Sequence, residues 1–139
     1  MATFKGIIDK IGFPDRDKVG KDGVDAAFII MMHTFNDGSN DDRDIIQIEP
    51  LMKRAVLHGK FPPYYLAITI DRNKGLKRQK QTYGTYWEID RKSRKRLISP
   101  IEDIDKVDLR RKEIGLPSLG YAAKQQQLVL PEGYIFIKD

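Results

Sequence analysis

The chain has no cysteine, two histidines and a single tryptophan, and each shortage removes chemistry. Without thiols there is neither a disulfide framework nor a thiolate metal cluster. His33 and His58 lie too far apart for an H-x-x-x-H pair, and the acidic stretch DGSNDDRD at residues 37 to 44 lacks the spacing and terminal glutamate of a calcium loop. No metal site and no cofactor are therefore expected. The longest apolar run, Ala26 to Met32, is only seven residues, far short of a bilayer crossing. The opening MATFKGIIDKIGF has no apolar stretch followed by a small-residue cleavage site, so no signal peptide is read there. No G-x-G-x-x-G, Walker loop or G-x-S-x-G elbow occurs, which leaves dinucleotide redox chemistry, nucleotide switching and serine hydrolysis without local support.

What is present is charge, unevenly placed. The 139 residues carry a net +5 and are 40% hydrophobic and 32% charged, the balance of one globular domain spanning 1–139 with a core of ordinary size. Between Arg72 and Arg96 ten basic residues stand against Glu88 and Asp90, a local net of +8, so the remainder is net −3. Such a concentration suits phosphates or an acidic protein; it equally suits a hairpin rim kept soluble by lysines.

Along the chain, Asp22-Gly-Val-Asp reads as a helix start leading into AAFIIMMHTF, whose apolar residues cover most of the circumference and predict a buried helix. The loop FNDGSNDDRD breaks it. A second helical region follows, interrupted at Pro50, with Leu51, Met52, Ala55 and Val56 as its apolar stripe and His58-Gly59 as its stop. YYLAITID, rich in aromatic and β-branched residues, reads as a strand ended by the turn RNKG. Further strands are expected at about 80 to 89 and at Arg96-Leu97-Ile98 after the turn DRKS. DIDKVDLRRKEIG reads as a helix closed by Gly115, followed by a short helix from Leu119 to Gln127. LVLPEGYIFIKD reads as a loop and last strand at the sheet edge. The fold class is α+β: N-terminal helices on a small antiparallel β-meander, then a C-terminal helix and a final strand or tail.

An extended segment 80 to 89 would place Gln81, Tyr83, Thr85 and Trp87 on one face, a line of hydrogen-bonding groups beside the basic rim. Gly84 on the other face either admits a close neighbour or marks a bulge. His33, in the last turn of its helix, sits where the helix dipole favours imidazolium, making it the leading proton donor; satisfying helix carbonyls is the plainer account, and the favoured one for His58. Arg72 suits an anionic group, with pairing to Asp71 as the alternative. Asp71 either orients His33 or caps its turn. Arg110 and Arg111, between acids on a helix, read as ordinary surface pairs.

Gln81-Thr82-Tyr83-Gly84-Thr85, preceded by Asp71-Arg72 and Gly75, resembles the Q-x-Y-G-T segment of the bacterial domain of unknown function 6624 family. MMHTF is similar to that family's Q-H-A segment, with His33 at the histidine, and Gln47 stands four residues before Leu51 as in its F-Q-x-x-x-L segment. Pro100 to Asp103 and Arg110 to Leu119 resemble its I-E-D and R-R-x-x-x-G-L-P-x-L stretches. The likeness spans about Gly12 to Tyr121. Met32 and Tyr86 stand where the family pattern has glutamine, and the loop after His33 is lengthened. The resemblance implies a shared fold and a shared set of polar residues.

These readings lead to an expected metal-independent phosphodiesterase or ribonuclease-like domain. His33, Tyr83 and Thr85 are its catalytic candidates, with Gln47, Asp71, Arg72, Gln81, Lys77, Arg78 and Lys80 as substrate-binding candidates. RNA or another phosphate-bearing or acidic ligand is the expected partner, with no membrane. A toxic end of a larger secreted effector, acting in a cytoplasm and opposed by an acidic immunity-type protein, is the matching context. Two rivals stay open: a non-enzymatic module binding an acidic protein or nucleic acid through a basic hairpin, and an enzyme acting on a small anionic metabolite.

Overall fold

The structure is a computed structural model that describes residues 4–34 and 43–136. The loop expected at FNDGSNDDRD lies almost wholly outside the described residues, as do the last three residues of the expected terminal strand. The chain divides into two compact units, Met1–Thr69 and Ile70–Asp139.

The first unit is helical: α1 (Phe4–Ile11), α2 (Arg16–Thr34), α3 (Arg43–Leu57) and the opening turns of α4 (Pro63–Leu76). Gly20, at φ 72° and ψ 177°, breaks α2 two residues before the predicted helix start, a conformation that favours glycine. Along α2, Val24, Ala27 and Met31 are buried at helical spacing. The predicted burial of this helix is only partial, because Ile29 is 56% exposed and Ile30 is exposed too.

Pro50 does not interrupt α3, which runs through it. The ring removes one N–H and leaves the Ile46 carbonyl open on an exposed face, a cost of about 3 kcal/mol in a helix interior. Burial of Ile45, Ile48, Met52, Ala55 and Val56 in one stripe offsets it; Leu51, expected in the stripe, is exposed. The stop is where the sequence puts it: Gly59 at φ 69° lets its own N–H reach Val56 and the Lys60 N–H reach the Ala55 carbonyl.

YYLAITID is a helix, not a strand: it forms the body of α4. Pro63 occupies the first helical position, where its fixed φ and missing N–H are favourable. Leu66, Ala67 and Ile70 are buried at i, i+1 and i+4, a helical repeat that the β-branched residues Ile68, Thr69 and Ile70 obscured. Thr69 donates its hydroxyl to the Tyr65 carbonyl one turn back, 2.7 Å away. The turn expected at RNKG is likewise helical, and α4 closes at Arg78, in the left-handed region at φ 56°.

In the second unit, β1 (Trp87–Ile89) and β2 (Arg96–Ile98) pair antiparallel, and β3 (Leu128–Val129) lies parallel to β2. The sheet is thus mixed, in the order β1-β2-β3, and not a purely antiparallel meander. Of the strand predicted at 80 to 89 only the last three residues are extended in the sheet; Gln81 to Tyr86 form a loop touching the ladder through one bridge, Gln81 to Ile101. A 3-10 turn (Ile104–Lys106) leads into α5 (Val107–Glu113), and α6 (Leu119–Gln126) follows, both where predicted. Ile98, Ile101, Val107, Leu119 and Ala123 form the core here, with Trp87, Leu128 and Tyr134 packed against it. The fold class is α+β: helices first, then the small sheet, then a C-terminal helix.

Candidate functional site

The residues that the sequence singles out fall in both units. In the first, His33 and Gln47 are exposed on α2 and α3. The His33 ring nitrogen Nδ1 lies 2.8 Å from the Ile29 carbonyl one turn back, the carbonyl contact foreseen as its plainer role. His58 is exposed at the end of α3.

In the second unit the loop 81–86 is the centre of a polar network that begins at Asp71. This carboxylate, on the last turns of α4, is 0% exposed. Its Oδ1 accepts the backbone N–H groups of Thr82 and Tyr83 at 2.8 and 2.9 Å, and its Oδ2 accepts the Thr85 N–H at 2.9 Å and the Thr85 hydroxyl at 2.7 Å. Burial pushes the Asp71 carboxyl above the usual aspartate range, against the pull of those four donors. Asp71 therefore caps a loop eleven to fourteen residues downstream and not its own turn.

Gln81, 1% exposed, closes the loop on itself. Its amide donates to the carbonyls of Tyr86 and Ser99 and accepts the Tyr86 N–H, each at 2.8 Å. Tyr83 is buried. Gly84 holds φ 80°, and a Cβ there would stand 2.8 Å from Leu119 Cδ1 and 3.0 Å from Ile101 Cδ1. Its missing side chain admits core packing, so the polar row anticipated on an extended strand is instead an inward-facing loop.

Helix α5 supplies the other clamp. Arg111, read from sequence as a surface residue, is 3% exposed and donates to the carbonyls of Pro117 and Tyr83, both at 2.7 Å. Arg110 donates from Nε to the Thr82 carbonyl at 2.9 Å and from its terminal nitrogens to the carbonyls of Glu102 and Asp103. Between the two clamps sits a partly exposed trio. Lys74 Nζ donates to Thr82 Oγ1 at 2.7 Å and to Glu102 Oε1 at 2.8 Å, and the Thr82 hydroxyl donates to the same carboxylate oxygen at 3.0 Å. Lys74 holds the Glu102 carboxyl below the usual glutamate range. Lys74, Thr82 and Glu102 were not among the site candidates, although Thr82 and Glu102 stand in the Q-x-Y-G-T and I-E-D segments; what joins them to Lys74 is an acid and a base paired across 28 positions, which local spacing does not carry.

The basic rim is a separate surface of the same unit. In the β1–β2 turn, Asp90 Oδ2 accepts both the N–H and the hydroxyl of Ser93, and the Asp90 N–H donates to the Lys95 carbonyl at 2.8 Å. The Ser93 hydroxyl and amide hold the Asp90 carboxyl below its usual range. Arg91, Lys92, Arg94 and Lys95 are all exposed. Among the described residues these four, with Arg78 and Lys80, form no ion pair. A hollow of about 530 Å³ lies beside the turn, lined by Ile89, Leu97 and Pro100 together with Glu88, Arg91 and Lys92. Arg72 is exposed on α4.

A model of a family of unknown function, DUF6624, matches residues 2–128. The chain belongs to this family. No curated protein and no solved structure matches the chain. In this DUF6624 chain Asp71, the Q-x-Y-G-T loop, Glu102, Arg110, Arg111 and Leu119 meet in one unit. The position where the family pattern has glutamine after Y-G-T, Tyr86, lays its ring over Gly75, where a Cβ would stand 2.8 Å from Tyr86 Cε1. The other departure, Met32, is buried. Among the described residues no cluster of His, Asp and Glu could hold a metal ion, and no helix is long and apolar enough to cross a membrane.

Proposed function

We propose that the second unit binds a nucleic-acid strand by its phosphate backbone through the β1–β2 hairpin. The supporting observation is the turn itself: four exposed cations, Arg91, Lys92, Arg94 and Lys95, on a turn whose only carboxylate is engaged by Ser93. Lys80 lines a second hollow that shares Leu97, Ile98 and Pro100 with the one beside the turn, and adds its charge there. Cations without local partners gain most from releasing the counterions of a polyanion.

Binding is put forward ahead of cleavage for a physical reason. A ribonuclease-like reaction through Tyr83 and Thr85 needs those groups at a phosphate, whereas the Thr85 hydroxyl donates to Asp71 and Tyr83 is buried. Among the described residues, the polar contact of His33 is with the Ile29 carbonyl, the role of a helix-end histidine.

The test is salt-dependent binding of a fluorescent twelve-nucleotide RNA, followed by anisotropy. Four phosphate contacts on a single strand give a slope of log K against log salt of about −3. Reversing the four turn cations to glutamate should abolish binding while leaving the thermal melt unchanged. A flat salt response, or full binding by the reversed variant, rejects the reading. Incubation of the same RNA with the intact chain shows whether cleavage accompanies binding.

A further inference from the structure

Arg96 and Trp87 stand next to the basic turn on neighbouring strands. The Arg96 guanidinium carbon lies 5.1 Å from the centroid of the Trp87 ring, within the range of a cation–π contact. Paired register puts Trp87 opposite Ile98 and Ile89 opposite Arg96, so by strand alternation Trp87 and Arg96 share one face of the hairpin. Trp87 is half-buried and packs against the core cluster that includes Ile98 and Leu119. Arg96 is exposed, and its other polar contact is a long one, Nη1 to the Gln126 carbonyl at 3.4 Å. The result is an exposed guanidinium with a half-buried indole on one side, its outer face being the side away from that ring.

We infer that this outer face of Arg96 is a stacking platform for one nucleobase, so that the ligand of the hairpin is a single-stranded nucleic acid. The inference rests on the phosphate-binding reading above and deepens it. Lys95, one residue away, would hold the phosphate, and the base of that nucleotide would lie on the guanidinium plane. Arginine planes and aromatic faces take unpaired bases without regard to sequence. In a duplex the bases are already stacked on one another and offer only their edges, so a duplex meets the turn cations alone. A lysine could replace the charge of Arg96 but not its plane.

Trp87 is the sole tryptophan of the chain, so intrinsic fluorescence reads this platform directly. The full chain is titrated with three probes of matched length: oligoadenylate, an abasic strand of the same charge, and a duplex. Oligoadenylate should shift or quench the Trp87 emission and bind roughly tenfold tighter than the abasic strand. The abasic strand and the duplex should bind with salt dependence and leave the emission unchanged. Arg96→Lys should bring oligoadenylate down to the affinity of the abasic strand. The comparison of oligoadenylate with the abasic strand on the unaltered chain needs no variant, so it decides the matter even if Arg96→Lys folds poorly. Equal affinities and equal emission for oligoadenylate and the abasic strand overturn the platform while leaving phosphate binding intact. Failure of all three probes to bind overturns the phosphate reading and the platform with it.

Discussion

The Thr85 hydroxyl donates to Asp71 Oδ2 at 2.7 Å, and the same oxygen accepts the Thr85 backbone N–H at 2.9 Å. With the Thr82 and Tyr83 amides on Oδ1, one buried carboxylate organises the whole Q-x-Y-G-T loop. Asp71→Asn keeps the shape but offers one acceptor oxygen and turns an NH2 toward backbone donors. It should destabilise the protein by roughly 2–4 kcal/mol, read as a shift in the urea midpoint at constant slope. The sign with pH follows from burial. The folded carboxyl titrates above its usual value of 3.8, so the native state holds the extra proton there, and the contribution of this group to stability falls as pH rises through that interval. The variant should lose that part of the pH dependence. Thr85→Val should cost about 1 kcal/mol, since one donor of four is lost.

Gly84 makes a sharper test of the same loop. Its φ of 80° and the 2.8 Å approach of Leu119 to an added Cβ act together. Gly84→Ala should cost roughly 2–4 kcal/mol, combining a left-handed backbone with overpacking. A melting temperature unchanged from the parent would mean that the loop relaxes freely, and the tight packing of residues 81–86 would be wrong.

Elements governed by local rules were legible in the sequence. The Gly59 stop, the DRKS turn, β2, α5 with Gly115 and α6 all follow from capping, turn chemistry and short apolar patterns. Segments decided by tertiary contacts were not. In α4 the β-branched residues argued for a strand, and burial of Leu66, Ala67 and Ile70 overrode that propensity. Gln81 and Thr85 were visible as unusual polar residues, but alternation lined them up on one sheet face because it assumed an extended backbone. The buried carboxylate of Asp71, which no local pattern announces, bends residues 81–86 into a loop and turns those groups in. Arg111 was missed for the same reason: its partners are backbone carbonyls, which leave no trace in the spacing of acids and bases.

The Lys74–Glu102 pair predicts a small acid effect. Lys74 and the Thr82 hydroxyl depress the Glu102 carboxyl below its usual 4.5. Its stabilisation is therefore present above that value and lost as pH falls through the lowered one. Since the Glu102 side chain is 42% exposed, solvent screening limits the pair to between a few tenths and about 1 kcal/mol. Glu102→Gln should lower stability by that amount at pH 7 and by less at pH 3. A double-mutant cycle with Lys74→Met, run by urea unfolding at both pH values, isolates the coupling.

The Tyr134 phenol ties the C-terminal tail to α5 and α6. The Tyr134 hydroxyl donates to Asp108 Oδ2 at 2.6 Å and accepts the Gly120 N–H at 2.9 Å, while Asp108 Oδ1 takes the Leu119 N–H at 2.7 Å. Burial and the Asp108 carboxylate raise the phenol above its usual 10.0. A raised acid keeps its proton in the folded state, so the latch contributes fully below pH 10 and is lost as pH rises through the elevated value. Tyr134→Phe leaves the Gly120 N–H without its acceptor and Asp108 Oδ2 without the phenol donor, and should cost about 1–3 kcal/mol at pH 7. It should also remove the alkaline step in stability that the parent shows. Hydrogen exchange reads the two outcomes separately: in the variant the Gly120 amide should lose protection at neutral pH. Retained protection there would show that the tail is held without the phenol.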